Sequence, residues 1–512
     1  MNASSTEAPR RTQTLTLTAM CLSQAMILLD ITIVNVALPS IQHELGVSPS
    51  NLEWVVGAYT LVLAALILVS GALGDRLGRK RVFLVGLVVF TLASAGCALA
   101  TDDPQLIALR AVQGVGGAAM AALTLSILVD TVPEQRRTAA IGTWAAMGGL
   151  GFGLGPVVGG VLIRAFDWSA IFWVNVPVGI ACAVLTTIAV PESRDPDARR
   201  IDVPGALLAA VGLFLLTFAL IESNRRSWTS APVLGSIVGA VLVLAAFVAW
   251  ERRAAAPMVP LALLRARRFA SANVVFALLY LSLAGMFFFV TLYYQNIRGW
   301  SPLKTGLSWT LLNVLFLVAS LRVGRLAARY GGRILIGTGC AFAAVGMALL
   351  TPLGRHTGFW LAAIGYVVLG LGYGLAIPVV SSAAMGDVPA ALEGTGSGIL
   401  NSARQIGASV GLAVMGAIGV GLASHAWSTK VPTFPRAVQA QARTLDQPVA
   451  GGEAAHVASV VGPAAHTPAV DAFLDGYHAA MLAGTIALVG ASGIAFVGLR
   501  ERRAVAPVPA IT

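Results

Sequence analysis

Charged side chains are what this 512-residue sequence has least of: Asp, Glu, Lys and Arg together make up 11% of it, against about 25% in a soluble domain. That scarcity excludes a globular body in water. Lysine is rarer still. Only Lys80, Lys304 and Lys430 occur, none of them after a glycine, so the phosphate-cradling G-x-x-x-x-G-K-[ST] loop of an ATP-driven pump is absent. The four cysteines, Cys21, Cys97, Cys182 and Cys340, lie in apolar runs without paired spacing and are expected to be packing residues. The six histidines show no ligand spacing, so no metal and no other cofactor is expected. The formal charge of +11 would indicate nucleic acid only on a globular body with a basic face. Without that body, no nucleic-acid partner is expected and the charge reads as membrane topology.

Apolar runs fill the space that charge leaves, and 57% of the residues are hydrophobic. A membrane-spanning helix needs about 20 mostly apolar residues. Such runs occur near 15–37, 51–73, 82–100, 105–129, 138–163, 169–190, 203–221, 232–250, 270–294, 303–321, 334–352, 358–382, 397–422 and 478–498. The expectation is an all-α integral membrane protein of fourteen transmembrane helices. The polar start shows no small-residue cleavage site before Pro39, so the first helix is expected to be retained. With the N-terminus placed in the cytoplasm, 23 of the 34 Lys and Arg residues fall in inner loops and tails, which sets N-in, C-in. Of the rest, Arg110 and Arg404 fall within helices. The stretch 424–477, rich in Ala, Val, Pro and His, reads as an irregular extracytoplasmic segment.

Parts of the chain repeat. "GALGDRLGRKR" (71–81) follows the second helix and "GRLAARYGGR" (324–333) the tenth; Gly71, Leu73, Arg76, Gly78 and Lys80 match Gly324, Leu326, Arg329, Gly331 and Arg333, while Ala328 replaces Asp75. "VPEQRRTAAIG" (132–142), before the fifth helix, matches "VPAALEGTGSG" (388–398), before the thirteenth. Both offsets are eight helices, as two six-helix pseudo-repeat bundles separated by two extra central helices require. The expected divisions are a cytoplasmic tail (1–14), an N-terminal bundle (15–190), two additional helices with a linker (191–268), a C-terminal bundle (269–498) and a second cytoplasmic tail (499–512). Parallel repeats of this kind mark transporters with a midplane site between their halves.

On these residues the chain resembles the major facilitator superfamily, and is most similar to its fourteen-helix drug:proton antiporter branch. "GALGDRLGRKR" fits the cytoplasmic loop signature, "LIALRAVQGVGGAA" (106–119) the fourth-helix signature and "LDITIVNVALP" (29–39) the first-helix signature of that branch. The missing Asp in the second loop copy departs from symmetry between the halves. The resemblance implies a multi-pass cell-membrane protein working as a monomer, with protons and a small molecule as partners. The preference for Arg over Lys and the wealth of Ala, Gly and Val fit a bacterial coding sequence.

In the fifth helix, Gly142, Gly151, Gly155, Pro156, Gly159 and Gly160 match the pattern associated with antiporters. Gly151, Gly155 and Gly159 form a stripe that lets another helix approach, and Pro156 permits a bend. Gly71, Asp75, Arg76, Gly78, Arg79 and Lys80 read as a gating loop, in which Asp75 is expected to meet a helix start or pair with Arg136 or Arg137 and so lock one face. Arg79, Lys80 and Arg81 would face anionic headgroups. Asp30 is the conspicuous residue, since an ionised Asp mid-span costs roughly 2.5 to 3.5 kcal/mol. Asp30 and Arg110 are expected to form a proton or cation coupling site, or else a structural pair joining the first and fourth helices. Asn35, Gln113, Asn175, Asn313, Arg404 and Gln405 are candidates to line a cavity. The aromatics of "GMFFFVTLYYQN" (285–296) read as an interfacial belt or lipid-facing side chains rather than a stacking platform.

The reading that results is a secondary active transporter, not an enzyme, exporting hydrophobic or amphipathic drugs in exchange for protons. A dedicated exporter of one endogenous metabolite or siderophore is the alternative. A membrane-embedded enzyme or sensor is the remote one, lacking a nucleophile–base constellation or a soluble domain.

Overall fold

The computed structural model describes residues 10–194, 202–223, 226, 228–254, 257, 263, 265–386, 388 and 393–499. Of the tails expected at 1–14 and 499–512, residues 1–9 and 500–512 lie outside the described residues, as does part of the linker within 191–268, while residues 10–14 begin the first helix. Thirteen of the described helices are long and apolar enough to cross a bilayer, and α2 makes the fourteenth. The spans of the first half are α1 (Arg10–Leu45), α2 (Pro49–Leu77), α3 (Arg79–Ala98), α4 (Asp103–Thr131), α5 (Glu134–Ala165) and α6 (Ala170–Ala189). Two further spans follow, α7 (Val203–Glu222) and α8 (Ala231–Glu251). The second half holds α9 (Arg267–Ile297), α10 (Pro302–Tyr330), α11 (Gly332–Leu350), α12 (Phe359–Met385) and α13 (Glu393–Lys430). After three short helices, α14 (Arg436–Arg443), α15 (Asp446–Ala450) and α16 (Ala454–Val461), comes the last span, α17 (His466–Gly498).

Local chemistry sets the helix starts. Ser48 caps α2, Asp102 caps α4 and Ser301 caps α10, each ahead of a proline in the first turn, where the missing N–H removes nothing that would be bonded. Six described glycines take a positive φ that only glycine adopts freely, and two of them stand at matched turns. These two are Gly78 (φ 114°) and Gly331 (φ 84°), the matched glycines of the two loop copies.

The repeat visible in the sequence is a repeat of packing. In the first half α1 packs on α5, α2 on α4, α3 on α4, and α6 on α1 and α3. In the second, α9 packs on α13, α10 on α12, α11 on α12, and α17 on α9 and α11. The additional helix α7 lies against both α2 and α13, while α8 packs chiefly on α7. One buried core lies within the first half; the other fills the second half and continues into Ile33–Ile41, Val47–Val56 and Trp168 of the first. The halves therefore share a core at the end of the bundle where α1 ends and α2 begins. Outward-facing Leu92 (68% exposed), Leu321 (76%) and Trp360 (67%) supply the lipid-facing surface such a bundle needs.

Two expectations are corrected. The segment 424–477 is not irregular: α13 runs on to Lys430, α14, α15 and α16 follow, and α17 already begins at His466. The aromatics at 285–296 do not face lipid. Phe287, Phe288, Phe289, Tyr293 and Tyr294 are all buried, because α9 is surrounded by α1, α12, α13 and α17.

Candidate functional site

Asp30 lies at the centre of a buried polar network inside the first half. Arg110 Nη1 donates to Asp30 Oδ2 at 2.6 Å, and Gln113 Nε2 and Asn175 Nδ2 donate to Oδ1 at 2.9 and 3.1 Å. Arg110 also donates from Nη1 to Gln113 Oε1 at 2.7 Å and from Nε to the Val55 carbonyl at 3.0 Å. Its guanidinium stands 4.4 Å from the Tyr59 ring centroid. Asn175 Nδ2 reaches Ser94 Oγ as well, at 3.1 Å, and Ser94 donates to the Phe172 carbonyl at 2.9 Å. Asp30 and Gln113 are 0% exposed, Arg110 and Asn175 1%. Five helices, α1, α2, α3, α4 and α6, thus meet through one carboxylate.

Sequence explains the assembly. Arg110 and Gln113, three residues apart, share a face of α4. Gly114, one residue on, lets α2 approach so closely that a methyl group there would strike the Tyr59 carbonyl; the same approach brings the Val55 carbonyl to Arg110. Chemically, the ionised pair is neutral as a unit and every oxygen of Asp30 has a donor, as a buried charge requires. A proton on Asp30 leaves Arg110 uncompensated, so protonation changes the charge that five helices enclose.

The glycine stripe of α5 meets α1. Methyl groups at Gly151, Gly155 or Gly159 would strike Ala25, Thr32 or Ile33, and one at Gly160 would strike Leu303 of α10 in the other half. Gly142 lies in α5, with its surroundings outside the described residues. Pro156 has no N–H to give the Phe152 carbonyl one turn back; Thr32 Oγ1 donates to it instead at 3.1 Å, and Asn313 Nδ2 of α10 donates to the Gly153 carbonyl at 3.0 Å. Pro39 disrupts α1 in the same way, and Gln295 Nε2 of α9 donates to the Val36 carbonyl at 2.8 Å. Beside each proline a side-chain amide of the second half thus bonds a carbonyl of the first, one residue beyond the carbonyl that the proline leaves without its N–H. Asn296 adds a link at the same end, donating to Gln42 Oε1 at 3.1 Å and to the Gly451 carbonyl at 2.7 Å. Phe152 of α5 meets Phe287 of α9 edge to face, with centroids 6.1 Å apart.

In the loop between α2 and α3, Asp75 pairs with neither Arg136 nor a helix start. It accepts from Arg79, with Nη2 to Oδ1 at 2.7 Å, and Arg79 also pairs with Asp130 at the end of α4. Arg136 is exposed, and the side chain of Arg137 is outside the description. Arg79 is therefore held between two carboxylates instead of facing headgroups. Lys80 donates from its backbone N–H to Glu192 Oε1 at 3.1 Å and from Nζ to the Thr187 carbonyl at 2.9 Å, while Arg81 lies 3.5 Å from Glu192. Gly71 borders Ala122 of α4, and a methyl group at Gly78 would strike Glu192. Arg76 is exposed. In the second loop copy, where Ala328 stands for the Asp, no ion pair forms among the described residues; Arg329 stacks on Tyr330 instead.

Of the six cavity candidates, Gln113 and Asn175 belong to the Asp30 network, Asn35 donates to the Ile31 carbonyl of its own helix, and Asn313 donates to the Gly153 carbonyl of α5. Arg404 and Gln405 lie on α13, between α9 and α2. The sequence reading missed Asp130 and Glu192, which clamp the loop, and Glu53, a fully buried carboxyl of α2 against Gly416 of α13. All three stand at or near span ends, where charge is unremarkable.

Comparison with known proteins follows this architecture. The profile described as Major Facilitator Superfamily matches residues 20–412. The multidrug resistance protein Stp of Mycobacterium tuberculosis is 35% identical over 490 residues, covering 93% of this chain and 90% of its own. The tetracenomycin C resistance and export protein of Streptomyces glaucescens is 31% identical, covering 97% and 94%. The methylenomycin A resistance protein of Streptomyces coelicolor is 37% identical, covering 78% and 85%. Among solved structures, a bacterial homologue of the human lysosomal transporter Spinster matches with a TM-score of 0.67 at 17% identity, over 96% of this chain and 98% of that one. With a profile match across most of its length and relatives of this similarity, the chain belongs to the major facilitator superfamily.

Proposed function

We propose that the protein is an antiporter that exports amphipathic small molecules, antibiotics among them, in exchange for protons, with Asp30 as the proton site and Arg110 as the group that tunes it. The observation that carries the reading is a carboxylate 0% exposed, held by Arg110, Gln113 and Asn175, beside α5, whose glycine stripe and proline are the family's antiporter pattern. Relatives named for multidrug resistance and for antibiotic export support the direction of transport. In this reading the termini are cytoplasmic, so the end sealed by Gln295, Asn296 and Asn313 is the outer face, and Asp75, Arg79 and Asp130 latch the inner one. The protein works as a monomer, with its basic inner loops on anionic headgroups and no catalytic chemistry of its own. Names tied to single compounds, tetracenomycin C and methylenomycin A, favour a second reading, a dedicated exporter of one compound.

The test is efflux of ethidium from energised cells expressing the protein, alongside tetracenomycin-type polyketides. Export of either that a protonophore abolishes supports the antiporter; export that persists after the proton gradient collapses overturns it. Export of the polyketide alone selects the dedicated exporter.

A further inference from the structure

Arg404 is a cation within a membrane span for which the proton site gives no use. Among the described residues no carboxylate pairs with it, its Nε is buried without an acceptor, and its recorded neighbour is the ring of Tyr280 on α9, 5.8 Å away. On the same helix the Gln405 amide nitrogen and the Ser409 hydroxyl are buried and also unpartnered, with Gln405 2% and Ser409 1% exposed. Arg404 is partly exposed. It lies on α13, the helix packed against both α9 of its own half and α2 of the other. Tyr280 packs on Phe276 with centroids 5.1 Å apart, so the guanidinium adjoins an aromatic wall. Asp30, by contrast, has both oxygens occupied and no exposure, so a cationic ligand finds no free carboxylate there.

A cation within a span that lacks a counter-charge is costly, and a ligand that neutralises it gains what the protein alone leaves unfilled. From the unpaired Arg404 guanidinium, its unsatisfied neighbours Gln405 and Ser409 and the Phe276–Tyr280 wall, we infer that the seam between the halves binds planar amphipathic acids, with the ligand carboxylate on Arg404 and its rings along Tyr280. The inference rests on the exporter reading and narrows its substrate class. Arginine suits the task because its planar fork holds a carboxylate through two parallel hydrogen bonds, and it stacks on aromatic faces.

Binding to the purified full-length protein, followed by tryptophan fluorescence without any gradient, tests it with two probes of the same ring system, 9-anthracenecarboxylic acid and 9-anthracenecarboxamide. Wild type binds the ionised acid about tenfold tighter than the amide, as a charge-assisted contact implies. In Arg404→Gln the ratio falls to near one while amide affinity is unchanged, and Arg404→Lys keeps part of the preference. Unchanged amide binding shows that the variant is folded. Equal affinity of wild type for both probes, or an acid preference that survives Arg404→Gln, overturns the inference. Because no gradient is used, acid binding without proton-driven export would defeat the exporter reading and leave this one standing.

Discussion

Asp30 accepts three hydrogen bonds in a place where a single missing donor would be felt. Removing one partner of a buried ion pair strands the other charge and costs about 3–5 kcal/mol, whereas removing both charges is far milder. Arg110→Gln should therefore destabilise the protein by about that amount, and Asp30→Asn combined with Arg110→Gln should recover much of the loss, read as thermal unfolding in detergent. Equal losses in single and double variants would mean that the two charges are not coupled. The pair was legible in the sequence because ionisable residues inside spans are rare enough to stand out. Its amide partners were less so: Gln113 and Asn175 read equally well as cavity lining, since a polar residue on a helix does not reveal which neighbour it meets. Arg79 shows the opposite limit. One carboxylate partner, Asp75, stands only four residues back at the end of α2, but the other, Asp130, comes from the end of α4, a distance in sequence that no local pattern bridges.

Among the elements, α5 is the most strictly determined. A side chain at Gly155 would enter Thr32 and Ile33 of α1, whereas Gly149 has nothing within 4 Å. Gly155→Val should cost about 1–3 kcal/mol from overpacking and impair transport, and Gly149→Ala, with open space and better helix propensity, should leave both unchanged; expression, melting temperature and efflux measured side by side separate the two. The short helices α14 to α16 were illegible because none has the length or periodicity of a span, and their order comes from packing. There Asn296 binds the Gly451 carbonyl, and a half-buried Glu453 lies beside Gln42, His43 and His456. Burial raises the Glu453 carboxyl above the ordinary glutamate value, against smaller lowering effects from His456, Gln42 and His43. Raised in the folded state, it makes folding bind a proton. The cap is therefore firmest below the unfolded value of about 4.3 and loosens as pH climbs from there through the raised one. Hydrogen exchange of residues 436–461 should quicken over that window beyond its intrinsic pH dependence, and Glu453→Gln should remove the excess.

At the scale of the molecule, a multi-pass protein of the plasma membrane is built from two like halves that share a core at one end. The sequence carried this far: the eight-helix offset between loop copies is a repeat of contacts, and Gly78 and Gly331 have the same unusual backbone at the same place in each half. What it could not carry is the state of the seam, because the amides of Gln295 and Asn313 bond to the backbone carbonyls of Val36 and Gly153, more than a hundred residues away in sequence. If those bonds hold the seam shut, Gln295→Leu should raise thiol labelling at a cysteine introduced in place of Val36, 0% exposed here, by several-fold; unchanged labelling would make the bond incidental. The coupling of these halves to protons through Asp30 is tested most directly in proteoliposomes, by imposing a pH gradient and following a compound the wild type exports. Asp30→Asn should still exchange that compound down its own gradient but fail to accumulate it against one. Accumulation by the variant equal to wild type would contradict the assignment of Asp30 as the proton site.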